Sequence, residues 1–312
     1  MKQFNKLVVL DKVDFFDDQE DQLRKLAKEV KIYNNTPKDD AEIAQRVGNA
    51  DAIITSWTEL DKEDIKERLK NIKYIGVSAS AYSWIDVKQA KKQGITVANV
   101  PGYAVESVAE LFFGQLISML RKTHKADSLS RAGKFERTGL MGEELQNKTI
   151  GIIGLGRIGR RVAEIARAFN MNILYYNRRI KPEFEGSPIK YCKLNELLKK
   201  SDIVAVHISG APPLIGEKEL ALLKNGAIIS NLAAGGVISE QALAKELRNG
   251  RIRAIIDTYE MHKIKKDLQE AENVTLLTPE IGFYTKQAVK RLTRICINNA
   301  KSYLEGNPQN VI

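Results

Sequence analysis

At 312 residues the chain is longer than one ordinary domain and fits about two. Its 43% hydrophobic content supports a sizeable core, yet no run approaches the roughly 20 apolar residues of a membrane span, and Leu7-Val8-Val9-Leu10 is expected to be a strand and not part of a signal peptide. The +10 formal charge reads as a lysine-rich surface, with an acidic or phosphate-bearing ligand as the alternative, and it lacks the basic and aromatic interleaving of a nucleic-acid module.

Residues 6–10 read as a strand, 18–30 as a helix, 31–33 as a short strand, and 41–47 as a helix. A strand at 51–55, a helix at 61–69, a strand at 74–78, a helix at 85–93 and a strand at 95–99 follow. Strands that alternate with helices predict a parallel sheet covered on both faces. Pro101-Gly102 breaks the alternation, and 105–120 is a helix apolar over more than one face. Residues 121–145 read as an irregular segment that embraces a neighbour.

Next comes a β-branched strand at 148–153, then Gly154-Leu155-Gly156-Arg157-Ile158-Gly159, then helical spacing over 160–169. Strand, glycine turn and helix in that order make a dinucleotide fingerprint out of a weak motif. Gly154 permits the tight turn, Gly156 presents no Cβ to a pyrophosphate, and Gly159 lets the helix lie close to the strand. The helix start offers unpaired N–H groups and its positive end to phosphate. Further strands are read at 172–177, 202–207, 226–231, 253–257 and 274–277, and helices at 194–199, 240–249 and 286–304. Ligands in such sheets sit off the carboxyl ends of the strands, which directs attention to Asn177, His207, Asn231, Asp257 and Thr278. The last helix is expected to return to the first domain. The expected organisation is therefore a substrate domain of 1–100 plus 283–312 and a dinucleotide-binding domain of 101–282, with a cleft and hinge where the chain crosses.

Six stretches occur in an order and spacing that resemble the NAD(P)-dependent D-2-hydroxyacid dehydrogenases, the glycerate and phosphoglycerate dehydrogenase group. They are Ile85-Asp86, the run 94–103 ending Pro101-Gly102-Tyr103, Ser107-Val108-Ala109-Glu110, the glycine fingerprint, Asn231-Leu232-Ala233-Ala234-Gly235, and Leu277-Thr278-Pro279-Glu280-Ile281-Gly282. The resemblance spans nearly the whole chain. It implies an α/β fold of two Rossmann-like domains, one of them a flavodoxin-like substrate domain. It also implies a homodimer built through the helix and arm of 102–145, and hydride transfer between a nicotinamide and a small carbonyl or hydroxy compound. The family uses an arginine after Asn-x-Ala, a histidine after Thr-Pro and a glutamate five residues past a strand-ending aspartate. In this chain those positions hold Ala234, Glu280 and His262. Alanine offers a carboxylate nothing in place of a bidentate guanidinium. The histidine and glutamate are exchanged, and in contact they could form an imidazole–carboxylate pair. Otherwise His262 is a loop histidine and Glu280 a polar residue without a proton-transfer role. By the same resemblance Asp257 holds the nicotinamide amide, and Ser78, Ala79 and Ser80 offer backbone N–H groups to the substrate. The stretch 209–213 after His207 is shorter than the family loop. Tyr82, Trp84, Tyr103, Tyr259 and Tyr284 are candidates for packing or for recognition.

An NAD user ends its second strand in a carboxylate that accepts from the ribose 2′-OH. Here Asn177 removes that charge, and Arg178 and Arg179 supply forks for a 2′-phosphate, so NADP is expected over NAD. Only His124, His207 and His262 are histidines, and nothing has metal-ligand spacing. Cys192 and Cys296 lie far apart and suggest reduced thiols in a cytoplasmic protein. The expected activity is that of an NADP(H)-dependent oxidoreductase with an atypical site. The alternative is a non-catalytic dinucleotide-binding sensor or structural dimer.

Overall fold

The computed structural model describes residues 2–184, 187–208, 213–271 and 274–312. The chain forms two compact units, one of Met1–Ala104 with Thr285–Ile312 and one of Val105–Tyr284.

The first unit carries five parallel strands: β1 (Phe4–Val9), β2 (Ala27–Ile32), β3 (Ala52–Thr55), β4 (Tyr74–Val77) and β5 (Thr96–Ala98). Their order is β2-β1-β3-β4-β5, the doubly wound flavodoxin-like arrangement. Every residue of β3 and β4 is buried, which is why these strands read as continuous apolar runs. Helix Asp40–Val47 starts where the Asp39 carboxylate accepts from the Glu42 N–H at 2.9 Å. The terminal helix Lys286–Leu304 is tied into this unit. Thr293 donates to Gln19 at 2.7 Å, the Asn299 amide donates to the Asn99 carbonyl at 2.8 Å, and Tyr303 stacks on Phe4 and packs against Tyr74.

Two readings of local structure are corrected. The helix read over 18–30 spans only Asp17–Arg24, and Ala27–Ile32 is the edge strand paired to β1, with Phe4 opposite Ala27 and Leu7 opposite Val30. Leu23, Leu26, Ala27 and Val30 satisfy helical spacing, but the free edge of β1 takes the segment as a strand. Its exposed Lys28 and Glu29 suit an edge. Within the segment read as irregular lies the helix Thr123–Arg131. None of its residues is buried, so it has no apolar stripe to announce it.

The second unit carries seven parallel strands: β6 (Thr149–Ile153), β7 (Asn172–Tyr176), β8 (Ile189–Tyr191), β9 (Ile203–Val206), β10 (Ile228–Asn231), β11 (Arg253–Ile256) and β12 (Thr275–Leu277). The order β12-β11-β10-β9-β6-β7-β8 is the dinucleotide-binding arrangement, with the strand order reversing between β6 and β9. β9 and β10 are wholly buried, and Val204, Val206, Ile229, Leu243 and Ile256 belong to one core. Among the described residues no helix is long and apolar enough to cross a membrane.

Candidate active site

The carboxyl ends of β6 and β9 meet at the reversal point, and the glycine turn lies there. Gly154 has φ +98°, and a Cβ on it would lie 2.5 Å from the His207 carbonyl oxygen. A Cβ on Gly159 would lie 2.1 Å from the Gly154 carbonyl oxygen. Both positions therefore exclude any side chain. A Cβ on Gly156 would meet nothing within 4 Å. That space is open, as a pyrophosphate needs. Helix Arg157–Ala168 begins at Gly156 without a side-chain cap and without an acidic residue in its first turn. Its leading N–H groups and positive end are left for an anion. Ile158 is half-buried beside the exposed Arg157.

Asn177 does more than remove a charge. Its side-chain oxygen accepts from the Leu155 N–H at 2.8 Å and so holds the glycine turn against the end of β7. Arg178 and Arg179 beside it are exposed, and among the described residues neither makes an ion pair. By contrast, Arg160 pairs with Glu183, and Arg161 with Glu106 and Glu164. His207 extends β9 by donating its N–H to the Ile153 carbonyl at 2.8 Å. Its ring lies edge-on to Phe112, and both ring nitrogens are buried without a partner among the described residues. Burial lowers its pKa to about 4, so the ring stays neutral. The arrangement fits a nicotinamide dinucleotide, with the turn and helix start for the diphosphate and Asn177, Arg178 and Arg179 at the adenosine ribose. Residues 209–212 of the loop after His207 lie outside the described residues.

The second part of the site is made by adjacent strand ends, those of β10, β11 and β12. After β10 the Asn231 side chain folds its own loop, donating to the Ala234 carbonyl at 2.8 Å and accepting from the Ala233 N–H at 3.2 Å. A Cβ on Gly235 would lie 2.1 Å from the Tyr259 carbonyl oxygen, so this loop presses directly on the one after β11. That third loop is clamped in turn to the one after β12. Asp257 is buried and accepts from the Thr278 hydroxyl at 2.5 Å, the Ile281 N–H at 2.9 Å and the Gly282 N–H at 2.8 Å. Gln115 donates to Thr278 at 2.9 Å, and the Tyr259 hydroxyl donates to the Thr278 carbonyl at 2.9 Å. Burial raises the Tyr259 pKa and keeps that hydroxyl protonated. Asp257 thus carries a positioning duty toward the loop that bears Glu280.

The clamp brings His262 and Glu280 together. Imidazole Nδ1 and carboxylate Oε1 are 2.8 Å apart, with Nδ1–H as donor in the matching tautomer. Both residues have left-handed backbones, φ 52° at His262 and φ 57° at Glu280. Such conformations are costly for residues with a Cβ, and they persist where surrounding structure enforces them, often at functional sites. The Glu280 side chain is 23% exposed and that of His262 65%. Ala234 places no charged group on the neighbouring loop, and the Gly235 and Gly236 N–H groups make no hydrogen bond among the described residues.

In the first unit, Ser78, Ala79 and Ser80 follow β4. Ser78 and Ala79 are buried, and Ser80 is exposed. Ser78 N–H donates to the Thr55 carbonyl at 2.8 Å, the Ser80 carbonyl accepts from Asn99 at 2.7 Å, and the Ser78 hydroxyl is buried without a partner among the described residues. Sequence reading missed Asp11, buried at the end of β1, which accepts from Thr55, Ser56, Trp57 and Thr58 at 2.7–2.9 Å and fixes the loop after β3. A lone aspartate that ends an apolar strand was the available signal. On that loop Trp57 stacks on Trp84, centroids 5.5 Å apart. Of the other aromatic candidates, Tyr103 and Tyr259 are buried, while Tyr82 and Tyr284 are exposed. Among the described residues no cluster of side chains could hold a metal.

The seven-stranded sheet and its glycine turn define a doubly wound nicotinamide-nucleotide-binding protein. Residues 113–282 match the family described as D-isomer specific 2-hydroxyacid dehydrogenase, NAD binding domain. A hydroxypyruvate reductase of Blautia hydrogenotrophica is 34% identical over 296 residues, covering 90% of this chain and 91% of that protein. A glyoxylate reductase of Thermococcus litoralis is 33% identical over 284 residues, 86% of each chain. Among solved structures, an acyclic imino acid reductase in complex with NADPH and D-Arg superposes with a TM-score of 0.89 at 32% identity, over 98% of this chain and 99% of that one. The chain belongs to the D-2-hydroxyacid dehydrogenase family. It is an oxidoreductase of small hydroxy or keto acids with a nicotinamide cofactor.

Proposed function

We propose that the chain is an NADP(H)-preferring reductase in which the His262–Glu280 pair handles the proton. The observation that carries this reading is their 2.8 Å contact between two left-handed backbones. When bound, the reduced nicotinamide supplies a hydride to the electrophilic carbon. The paired imidazole and carboxylate hold one exchangeable proton for the atom that becomes basic as the hydride arrives. Asp257 and Thr278 fix the loop that presents Glu280. With alanine at 234, the Gly235 and Gly236 N–H groups are left to receive the substrate carboxylate, and of the N–H groups expected at 78–80 those of Ala79 and Ser80 remain as candidates, because the Ser78 N–H is held by the Thr55 carbonyl.

Preference for the phosphorylated cofactor rests on Asn177, Arg178 and Arg179, and the NADPH complex of the imino acid reductase supports it. That relative also indicates that this fold serves reduction at C=N. A homodimer through helix Val105–Arg121 and the following arm is supported by Phe135 and Met141, which are almost fully exposed on the arm. Cys192 and Cys296 are free and buried, in keeping with the reducing cytoplasm.

The test follows NADPH absorbance with glyoxylate, hydroxypyruvate and larger 2-keto acids. On the best substrate, Glu280→Gln and His262→Gln are each expected to lower kcat by about 10²–10⁴ with cofactor Kd unchanged. Tight NADPH binding with no turnover across the panel would establish a non-catalytic binding protein instead.

A further inference from the structure

Hydride acceptors come in two electrostatic kinds. Addition to a neutral carbonyl leaves an anionic oxygen, and a site for it places cations or preorganised donors there. Addition to a protonated imine discharges a cation and leaves a neutral amine, and a site for it places a carboxylate beside the nitrogen. The loops after β10 and β12 are of the second kind. The segment 231–237 reads Asn-Leu-Ala-Ala-Gly-Gly-Val and contains no cationic side chain. Asp257 is buried and accepts only from Thr278, Ile281 and Gly282 among the described residues, with no cation beside it. On the loop after β11, Lys265 is engaged by Glu240 and Glu260, and Lys263 next to His262 is exposed. In the proton-carrying pair the carboxylate is the more shielded partner, at 23% against 65% side-chain exposure.

We propose that the electrophile reduced here is a protonated imine, the 2-imino acid formed from a 2-keto acid and ammonia or a primary amine, with the Glu280 carboxylate facing its nitrogen. This rests on the reductase reading above and names its substrate class. The imine nitrogen takes its proton from the His262–Glu280 pair. The carbon then accepts a hydride from the reduced nicotinamide, which is oxidised by two electrons. A C–H bond forms, the C=N π pair moves onto nitrogen and cancels its charge, and a 2-amino acid is released. The pair regains its proton from water. Ala234 follows from the same logic, because a guanidinium on that loop would repel an iminium.

The experiment supplies hydroxypyruvate or a larger 2-keto acid with and without ¹⁵N-ammonium or methylamine, follows NADPH, and identifies the product by mass spectrometry. Amine is expected to accelerate NADPH oxidation by about tenfold or more and to be incorporated into the product. Oxidation unchanged by amine, with only the 2-hydroxy acid formed, overturns the proposal and leaves the reductase reading standing. No oxidation under either condition overturns both. Glu280→Gln is expected to lower amine formation at least about tenfold more than it lowers ketone reduction, and equal losses overturn the assignment. A readout independent of turnover is calorimetry on the NADP⁺-loaded protein. The 2-amino acid is expected to bind about tenfold tighter than the matching 2-hydroxy acid, and the reverse order overturns the proposal.

Discussion

Two regions at the carboxyl edge of the second unit's sheet are constrained in different ways. At the reversal between β6 and β9, each position of the glycine turn is dictated by space: Gly154 and Gly159 admit no Cβ, and Gly156 faces open room. At the ends of β10, β11 and β12 the backbone is constrained as tightly, with Gly235 pressed on Tyr259 and Asp257 clamping 278–282, while the side chains at 234, 262 and 280 are those that the sequence reading sets apart from the family pattern. The difference teaches that space fixes the backbone at both places, whereas chemistry decides the side chains that the loops carry. Steric constraints are all-or-none, whereas a charged side chain is exchanged without moving the chain.

The sharpest way to break this comparison is to place one methyl group at each end. Gly159→Ala and Gly235→Ala both drive a Cβ to 2.1 Å from a backbone oxygen, and each is expected to cost about 3 kcal/mol or more of stability by urea unfolding. Gly156→Ala is expected to leave stability within about 0.5 kcal/mol and to weaken NADPH binding about tenfold or more. Equal destabilisation at 156 and 159 would show that packing, not ligand space, sets the turn.

The next largest effect belongs to the exchanged pair, the kcat losses of about 10²–10⁴ expected for Glu280→Gln and His262→Gln. If the pair acts as a unit, the double variant loses no more than the worse single one, and a multiplicative loss shows two independent roles. At the glycine turn the matching effect is on cofactor choice. Arg178→Ser with Arg179→Ser is expected to raise the Kd for NADPH by about 10–100-fold and to leave NADH within about twofold, measured by fluorescence titration.

How much of this was legible follows from the same division. The glycine turn could be read because its cause is local: strand, turn and helix are contiguous, and each glycine has one steric reason. Helix Lys286–Leu304 was equally plain from its apolar spacing. The contact of His262 with Glu280 could be posed but not decided, because it depends on a clamp made by Asp257, Gln115, Thr278 and Tyr259 from distant parts of the chain. Asp11 was invisible for a like reason, since its five donors come from another strand end. The segment 25–30 was misread because helical spacing and edge-strand pairing were both available to it, and only the neighbouring β1 decides.

A smaller effect separates packing from chemistry beside the glycine turn. The His207 pKa lies near 4 against an ordinary 6.5, because burial favours the neutral ring. As pH falls, the unfolded chain binds the proton first, so stability is full above about 6.5 and is lost as pH drops toward about 4. Between pH 7 and pH 5 this group alone is expected to remove about 2 kcal/mol, and His207→Asn is expected to remove that part of the slope in urea unfolding. An unchanged slope would mean that the ring is not held neutral.

The smallest effect bears most directly on the loops after β10, β11 and β12. Glu280 sits at φ 57°, a backbone that glycine adopts without strain. Glu280→Gly forfeits the 2.8 Å hydrogen bond with His262, whose imidazole side is largely exposed and which therefore contributes little to stability. It also relieves a left-handed conformation that costs about 1 kcal/mol for a residue with a Cβ. The variant is therefore expected to be about 0.5–1 kcal/mol more stable in urea unfolding while losing turnover as Glu280→Gln does. A carboxylate kept for structure alone gives the opposite sign. A gain in stability with a loss of activity means that the strained backbone is maintained for the group it presents, whereas a loss of both returns Glu280 to an ordinary polar residue of the loop.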